Sequence, residues 1–165
     1  MIIAEELGSD INCLLLPIGR LGLVVPSVCV AEILPWRRIR EVADSPDWLL
    51  GTFPWRGDAI PVVRFEKING ATDEPAREAA QQNPCVAVMN RCRSVHSQAF
   101  YAIATDGLPR MLQVGEEDIV AEQTHLGVAE SAAMKLGTEQ LRVPNLGYVE
   151  DQLANVRPNV ALRGV

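Results

Sequence analysis

The chain lacks the short patterns on which many enzymes depend. It contains only two histidines, His96 and His125, and they are far apart in the sequence. It has no G-x-G-x-x-G or G-x-x-x-x-G-K-S/T loop, so the usual phosphate cradles are excluded. It has no G-x-S-x-G elbow, which excludes the usual serine hydrolase arrangement.

Basic charge and long apolar runs are also scarce. The net charge is −6 at pH 7, whereas a nucleic-acid-binding protein needs a basic face for the phosphates. The acidic balance does not favour anionic membranes either. The apolar run at 21–25 is too short to span a bilayer, the N-terminus lacks the basic start of a signal peptide, and no Asn-x-Ser/Thr sequon occurs. We predict a cytoplasmic protein that binds no nucleic acid and does not insert into a membrane.

The four cysteines form no C-x-x-C pair. Cys13, Cys29 and Cys85 lie in apolar, strand-like runs, so in a reducing compartment we expect buried thiols that act as small hydrophobic side chains. An alternative is a thiol-dependent or metal-dependent enzyme that uses Cys92 and His96. That pair has no orienting third group, and together with Cys85 it gives a metal only three ligands.

Short apolar segments separated by turn residues at even spacing predict an all-β fold, of the kind seen in sandwiches and small barrels. No alternation of strands and helices is present, so a parallel α/β fold is not indicated. The predicted strands cover 12–17, 21–26, 31–36, a strand–turn–strand over 53–65, 85–89, 100–105, 108–114 and 141–143.

Helices are predicted to be few and short. Ser27 is expected to cap one helical turn, and 45–51 has the serine, proline and glycine that start and end a short helix. The segment 128–136 is compatible with a helix, by its alanine content, or with a loop. Asn145 is expected to cap a last helix that runs to about residue 153.

One segment, 51–65, carries a single glycine-based turn and an arginine between two apolar runs. Gly57 is placed where the chain must reverse, since glycine adopts a positive φ without steric cost. Arg56 is then held at the mouth of a hairpin beside a buried strand. A charge fixed there is either paired within the structure or offered to a partner, and the two roles are compatible.

This segment resembles the CheW-like adaptor domain of bacterial chemosensory systems. That family has a glycine, then an Arg-Gly pair, then a strand that begins Pro-Val-Val. Similar matches occur in the same order at 30–33, where the sequence is Val-Ala-Glu-Ile, at 46–48, and at Asp106, which ends a strand. The matching residues of the central segment are Gly51, Arg56, Gly57, Pro61, Val62 and Val63.

Two positions depart from the family pattern. Pro54 stands where the family has asparagine, and Arg64 stands where it has aspartate. They suggest a divergent or accessory member, for example one from a chemosensory system linked to type IV pili and twitching motility. The alternative function is a decoupled CheW-fold interaction module that binds a different protein.

The resemblance implies an all-β fold of two five-stranded SH3-like barrels that share one core, with short helices. It implies one domain over about 12–155, with a first half over about 12–70, a connector over about 71–84, a second half over about 85–155, and tails at 1–11 and 156–165. It further implies a non-catalytic adaptor, without cofactor or metal, that couples chemoreceptor cytoplasmic tips to the regulatory domain of a CheA-like histidine kinase. The contact residues carried over from the family are Val30, Glu32, Gly51, Arg56 and Met111.

Overall fold

A computed structural model describes residues 10–19, 21–70, 83–91, 100–118 and 125–156. Short 3-10 helices occur at Ser27–Cys29 and Glu116–Asp118, and the α-helices are α1 (Phe65–Ile68) and α2 (Leu146–Asn155). The strands of these ranges are β1 (Ile11–Ile18), β2 (Leu21–Pro26), β3 (Val30–Pro35), β4 (Leu49–Trp55), β5 (Asp58–Val63), β6 (Cys85–Asn90), β7 (Phe100–Thr105), β8 (Arg110–Val114), β9 (Glu130–Leu136) and β10 (Glu139–Pro144).

The strands form two five-stranded sheets. The first sheet has the order β8-β1-β2-β10-β9, and the second has the order β3-β6-β7-β5-β4. Within each sheet one pair is parallel, β2 with β10 and β5 with β7, and the other pairs are antiparallel. The middle of the chain therefore builds the second sheet, and the segments on either side of it combine to build the first. The connector predicted at 71–84 falls between β5 and β6, and its residues 71–82 lie outside the described ranges.

Three groups of buried apolar side chains hold this arrangement together. One lies within each sheet, around Phe53 and Ile60 in the second and around Val24 and Met134 in the first. The third lies between the sheets and joins side chains of β1, β2, β5, β6 and β7 to both α-helices. Its most deeply buried members are Leu16, Leu23, Val25, Val63, Phe65, Met89, Tyr101, Ile103 and Val149. The prediction of an all-β fold with two five-stranded units and one shared core is confirmed.

A buried polar network ties α1 to the first sheet. Asn69, at the C-terminal end of α1, donates from Nδ2 to Glu130 Oε1 at 2.9 Å and accepts the Ala129 N–H at 3.0 Å. Glu130 Oε2 accepts the Gly127 N–H at 3.0 Å and lies 3.4 Å from Arg142 Nε. The Glu130 side chain is 5% exposed and the Arg142 side chain is 11% exposed. Because both charges are buried, the hydrogen bonds and the ion pair of this network are needed to offset their desolvation.

A second polar joint fixes the first hairpin to the second sheet. Asp106, directly after β7, accepts the Gly19 N–H through Oδ2, and its own N–H donates to the Pro17 carbonyl at 2.9 Å. The aspartate that resembles the family pattern therefore has a structural function, since it holds the β1–β2 turn against the end of β7.

Several local predictions are confirmed. β1 and β2 form the antiparallel hairpin expected for 12–26. Asn145 caps α2, because its Oδ1 accepts the Tyr148 N–H at 3.0 Å. A helical turn follows Pro26 as expected, but Ser27 does not cap it: the serine lies inside the 3-10 helix, and its buried hydroxyl has no partner among the described residues.

The helix predicted at 45–51 is wrong. The segment makes one turn at 47–48, in which the Leu49 N–H donates to the Pro46 carbonyl at 3.0 Å, and β4 already begins at Leu49. The pairing of Leu49 with Val63 and a φ of +142° at Gly51 explain the difference, since that φ lies far from the helical region.

The prediction of a helix or loop at 128–136 is also wrong. Residues 130–136 form β9, which pairs with β10 along its length. Alanine content favours a helix only when no neighbouring strand offers a ladder of hydrogen bonds, and here β10 supplies one. In addition, the strand expected to extend to Phe65 ends at Val63, and Phe65 starts the short helix α1.

Among these described residues, no helix is long and apolar enough to cross a bilayer.

Candidate partner-binding surface

The β4–β5 hairpin turns through two residues with positive φ. Arg56 has φ +48° and Gly57 has φ +87°, and the flanking residues Trp55 and Asp58 pair with each other. Two positive φ values in a two-residue loop define a type I′ turn, whose twist matches that of the strands. The predicted reversal at Gly57 is confirmed, and the turn projects Arg56 from the end of the sheet.

Arg56 belongs to a compact cluster with Glu32 and Trp55. The Trp55 Nε1–H donates to Glu32 Oε2 at 2.8 Å, and an Arg56 terminal nitrogen lies 3.6 Å from the same oxygen. The Arg56 guanidinium carbon is 4.5 Å from the centre of a Trp55 ring, within the range of a cation–π contact. On its other side Trp55 meets Phe100 edge to face at 4.8 Å between ring centres. Two of the predicted contact residues, Glu32 and Arg56, are therefore brought together.

This cluster joins two strands that lie at opposite edges of the second sheet. Glu32 is on β3, Trp55 is on β4, and β3 and β4 are the first and last strands in the sheet order. The hydrogen bond between them shows that the sheet curls until its edges meet, as an SH3-like barrel requires. Glu32 and Trp55 thus help to close the barrel.

The same cluster presents charge to the outside. The Arg56 side chain is 69% exposed and the Glu32 side chain 39% exposed. An ion pair this exposed contributes little to stability, because solvent screens it. Arg56 therefore has the structural role expected from the sequence, since it pairs with Glu32, and its contact with a partner stays a prediction that its 69% exposed side chain permits.

Val30 lies on β3, two residues before Glu32. It follows the 3-10 helix, pairs with Met89, and packs half-buried against the shared core. A β-bulge separates it from Glu32. Nearby Val28, which is not among the contact residues that the resemblance implies, is 83% exposed and is the most exposed apolar side chain of this segment.

Gly51 is buried, and its function is to let two backbones approach. A Cβ added at this position would lie 2.1 Å from the Arg40 carbonyl oxygen. The residue next to it, Thr52, exchanges two backbone hydrogen bonds with Arg40, of 2.8 and 2.9 Å. Gly51 therefore positions the loop that precedes β4, and direct contact between Gly51 and a partner stays a prediction.

Met111 lies apart from the other predicted contacts, on β8 of the first sheet. Its side chain is 75% exposed, and Leu108 just before the strand is 62% exposed. β8 is an edge strand, so apolar side chains and unpaired backbone groups occur together there. Exposed apolar side chains at a strand edge suit a protein partner better than a small ligand.

The two departures from the family pattern occupy different environments. Pro54 is exposed on the edge strand β4, a position where a residue without an N–H is tolerated. Arg64 is only 7% exposed and lies at the start of α1. Pro54 can therefore change the partner surface directly, whereas Arg64 cannot.

The cysteines give no sign of reactive chemistry in the described ranges. Burial raises the pKa of the Cys13 thiol, and burial likewise raises that of Cys85, where a hydrogen bond with Thr105 opposes the shift. Cys92 and His96 lie outside the described residues. Within those ranges no three His, Cys, Asp or Glu side chains come together in a way that could hold a metal ion.

Comparison with known proteins relates this chain to one family. A family model described as CheW-like domain matches residues 12–147. A search of curated proteins found no match. Among solved structures, the scaffolding protein TtCheW from Thermoanaerobacter tengcongensis superposes with a TM-score of 0.66 at 14% sequence identity, over 82% of this chain and 88% of that one. At that identity the likeness shows the fold alone.

Proposed function

Since this chain belongs to the CheW-like domain family, which its match over residues 12–147 shows, we propose that it is a non-catalytic adaptor in a bacterial chemosensory pathway. It couples the cytoplasmic tips of chemoreceptors to the regulatory domain of a CheA-like histidine kinase. The single observation that carries this proposal beyond the family match is the pair of exposed, opposite charges of Glu32 and Arg56, which the buried ring of Trp55 holds together.

The chemistry of this cluster fits a transient protein interface. Arginine is enriched among the residues that dominate binding energy, and here the buried ring of Trp55 lies beneath the exposed Arg56 and helps to fix its position. Charges at the edge of an interface set the encounter rate and the register more than the affinity. Interfaces of this kind bury about 1,000–1,600 Å² in total, which allows partners to exchange.

An adaptor must bind two partners, and the proposed contacts fall on two sheets. The cluster of Glu32 and Arg56 belongs to the second sheet, as does Val30, and Met111 belongs to the first. We assign one partner to each surface. The two partners then bind at the same time without competing for the same side chains.

Binding measurements on single variants test this assignment. Arg56→Ala should weaken binding to one of the two fragments, kinase regulatory domain or receptor tip, by about tenfold or more, and Met111→Ala should weaken binding to the other. Arg38→Ala, which removes another exposed arginine, is the matched control and should change neither affinity. Calorimetry with each fragment gives the affinities, and thermal melting shows that each variant is folded.

Two outcomes contradict the proposal. Binding of the unmodified protein to neither fragment would remove the adaptor function while leaving the fold intact. Loss of both affinities in Arg56→Ala, with no effect of Met111→Ala, would remove the assignment of one partner to each sheet.

The alternative, a decoupled module with a different protein partner, is favoured by one observation. Pro54 replaces a side-chain amide on the exposed edge strand β4, two residues before Arg56. If the chain is decoupled, Pro54→Asn should create binding to standard kinase and receptor fragments that the unmodified chain lacks. No gain in binding would count against this alternative. Arg64→Asp is not an equivalent test, because Arg64 is buried.

We further place the adaptor in the cytoplasm, where the receptor tips and the kinase domain it is proposed to bind are located. Its divergence at Pro54 and Arg64 is the ground for proposing a pilus-linked pathway. Deletion of the gene should then abolish twitching and leave flagellar swimming unchanged. The reverse result would assign the chain to a flagellar pathway.

A further inference from the structure

A polar cleft of about 250 Å³ lies on the second sheet, away from the cluster of Glu32 and Arg56. It is bounded by the end of β7, the start of α1, and the residues that flank β3 and β6. This volume is below the roughly 300–1,000 Å³ of pockets for drug-sized ligands, so the cleft suits a smaller molecule. Its lining residues are Trp36, Arg64, Glu66, Pro84, Ala104, Thr105 and Asp106.

Arg64 supplies a buried positive charge without a partner. The residue is 7% exposed. Its backbone is engaged, since its N–H donates to the Trp48 carbonyl at 2.8 Å and its carbonyl accepts from Ile68 at 3.2 Å. Its guanidinium makes no hydrogen bond and no ion pair with any described residue. A guanidinium has five N–H donors and is always charged. No guanidinium nitrogen of Arg64 is a fully buried atom without a hydrogen bond, so these donors reach the solvent of the cleft and are available to a ligand.

Glu66 supplies the opposite charge in the same cleft. Its Oε2 is buried and has no hydrogen-bond donor among the described residues. Burial raises the pKa of this carboxyl group, and a hydrogen bond from the residue's own backbone N–H opposes that shift. The charge of Asp106 raises the pKa to a lesser extent, and the charges of Arg64 and Lys67 lower it. Arg64 and Glu66 make no ion pair with each other, although the charge of Arg64 is close enough to lower the pKa of the Glu66 carboxyl group.

The cleft is therefore lined by a cation that makes no ion pair with a described residue and by an anion with one unsatisfied carboxylate oxygen. We propose that it is a binding site for a free α-amino acid, whose carboxylate pairs with Arg64 and whose ammonium group pairs with Glu66. Such a ligand carries both charges within a few atoms of each other, which a simple anion or a simple cation does not. The ammonium also relieves the repulsion between Glu66 and Asp106.

The remaining lining residues indicate the side chain of the ligand. Trp36 is 42% exposed, so part of its ring faces outwards, and Pro84 lies beside it in the wall. An apolar or aromatic ligand side chain covers these two residues, whereas a charged side chain gains nothing from them. The site would make the adaptor responsive to a metabolite, a property that goes beyond coupling two proteins.

The test is a titration of the full-length, isotope-labelled protein with L-leucine and with L-phenylalanine, followed by amide chemical shifts. Saturable shifts at millimolar or lower concentration are expected at residues 64–66 and 104–106. Two matched compounds that each keep one charge, 3-phenylpropionate and phenethylamine, should bind at least about tenfold more weakly than L-phenylalanine. Glu66→Gln and Arg64→Met should each weaken L-phenylalanine binding by a similar factor, and Arg37→Gln, an exposed arginine outside the cleft, should not.

Three results would overturn the site. The first is the absence of any saturable shift with either amino acid up to its solubility limit. The second is equal binding of the singly charged compounds, which would show that the paired charges are not what is recognised. The third is unchanged binding in both Glu66→Gln and Arg64→Met, with thermal melting used to confirm that the variants are folded. None of these results bears on the adaptor function, because the kinase and receptor fragments are absent from the titration.

Discussion

Replacing Gly51 by alanine tests the close backbone approach that precedes β4. An added Cβ would lie 2.1 Å from the Arg40 carbonyl oxygen, and the φ of +142° is one that alanine does not adopt without strain. Strain of this kind costs about 1–3 kcal/mol. The two hydrogen bonds between Arg40 and Thr52, of 2.8 and 2.9 Å, contribute about 1 kcal/mol each and break if the loop moves away.

The expected loss in the free energy of unfolding is therefore about 3–5 kcal/mol, and Tm should fall by about 6–20 °C for a chain of this length. Gly57→Ala is the matched control. Its φ of +87° also carries strain, but no atom lies within 4 Å of an added Cβ. The control should cost only the strain, about 1–2 kcal/mol.

Thermal denaturation gives the two stability changes, and hydrogen exchange at the Thr52 and Arg40 amides reports the local structure. Both amides should lose protection in Gly51→Ala and keep it in Gly57→Ala. A decrease in Tm for Gly51→Ala no larger than that for Gly57→Ala would refute the close approach. The result also affects the interpretation of binding data. If a partner fails to bind Gly51→Ala, the reason is that β4 is displaced in the variant, not that the partner has lost a contact with the glycine.

Three further predictions follow from buried or capping groups. Because the pKa of Glu66 is raised in the folded state, the native protein takes up more protons than the unfolded chain, and stability decreases as the pH rises through this range. Glu66→Gln should therefore have a higher Tm than the unmodified protein at pH 7, and the difference should disappear in melts below the ordinary carboxylate pKa. Cys13 and Cys85, buried and with raised thiol pKa values, should react with Ellman's reagent only as the protein unfolds in denaturant; rapid reaction in buffer would contradict their burial. Asn145→Ala removes the cap on the Tyr148 N–H and should cost about 1 kcal/mol, seen as a Tm about 2–4 °C lower, whereas Asn145→Ser should retain most of it.

Features decided by a few neighbouring residues could be predicted from the sequence. The turn at Gly57 depends on one residue that tolerates a positive φ, and the start of α2 depends on Asn145 and an N–H three residues later. The strand at 130–136 could not be predicted in the same way. Its alanines carry no strong preference, and β10 determines its conformation through pairing. The same reason applies to Leu49. The residues around it predict a short helix, but its pairing with Val63 places it in a strand.

The candidate surface shows a similar division. Glu32 and Arg56 match the family pattern, so the sequence predicts them as contact residues. Trp55, which joins them, is not among the contact residues that the resemblance implies. Its indole reaches Glu32 across 23 residues of sequence, because the second sheet curls until β3 and β4 meet. Contacts of this kind depend on tertiary closure, for which the local sequence has no signal. The burial of Arg64 at the start of α1 could not be predicted for the same reason, because burial is a property of the packed structure.

The way the chain is divided between the sheets has a consequence for unfolding. The strands of the second sheet lie between those of the first along the chain, and the two sheets share a buried core. We expect the sheets to unfold together, in one transition. The chain has three tryptophans, at positions 36, 48 and 55, and all lie in or beside the second sheet, whereas far-ultraviolet circular dichroism reports the strands of both. The two signals should therefore give the same midpoint in urea.

A substitution in the first sheet tests whether the two sheets unfold in one transition. Leu23 lies on β2, is wholly buried in the shared core, and is remote in sequence from every tryptophan. Leu23→Ala should cost about 2–5 kcal/mol and lower the fluorescence midpoint as much as the dichroism midpoint. Arg38→Ala, at an exposed position, should move neither. If Leu23→Ala instead splits the dichroism curve into two steps and leaves the fluorescence midpoint in place, the sheets are separate folding units and the shared core does not couple the two partner surfaces.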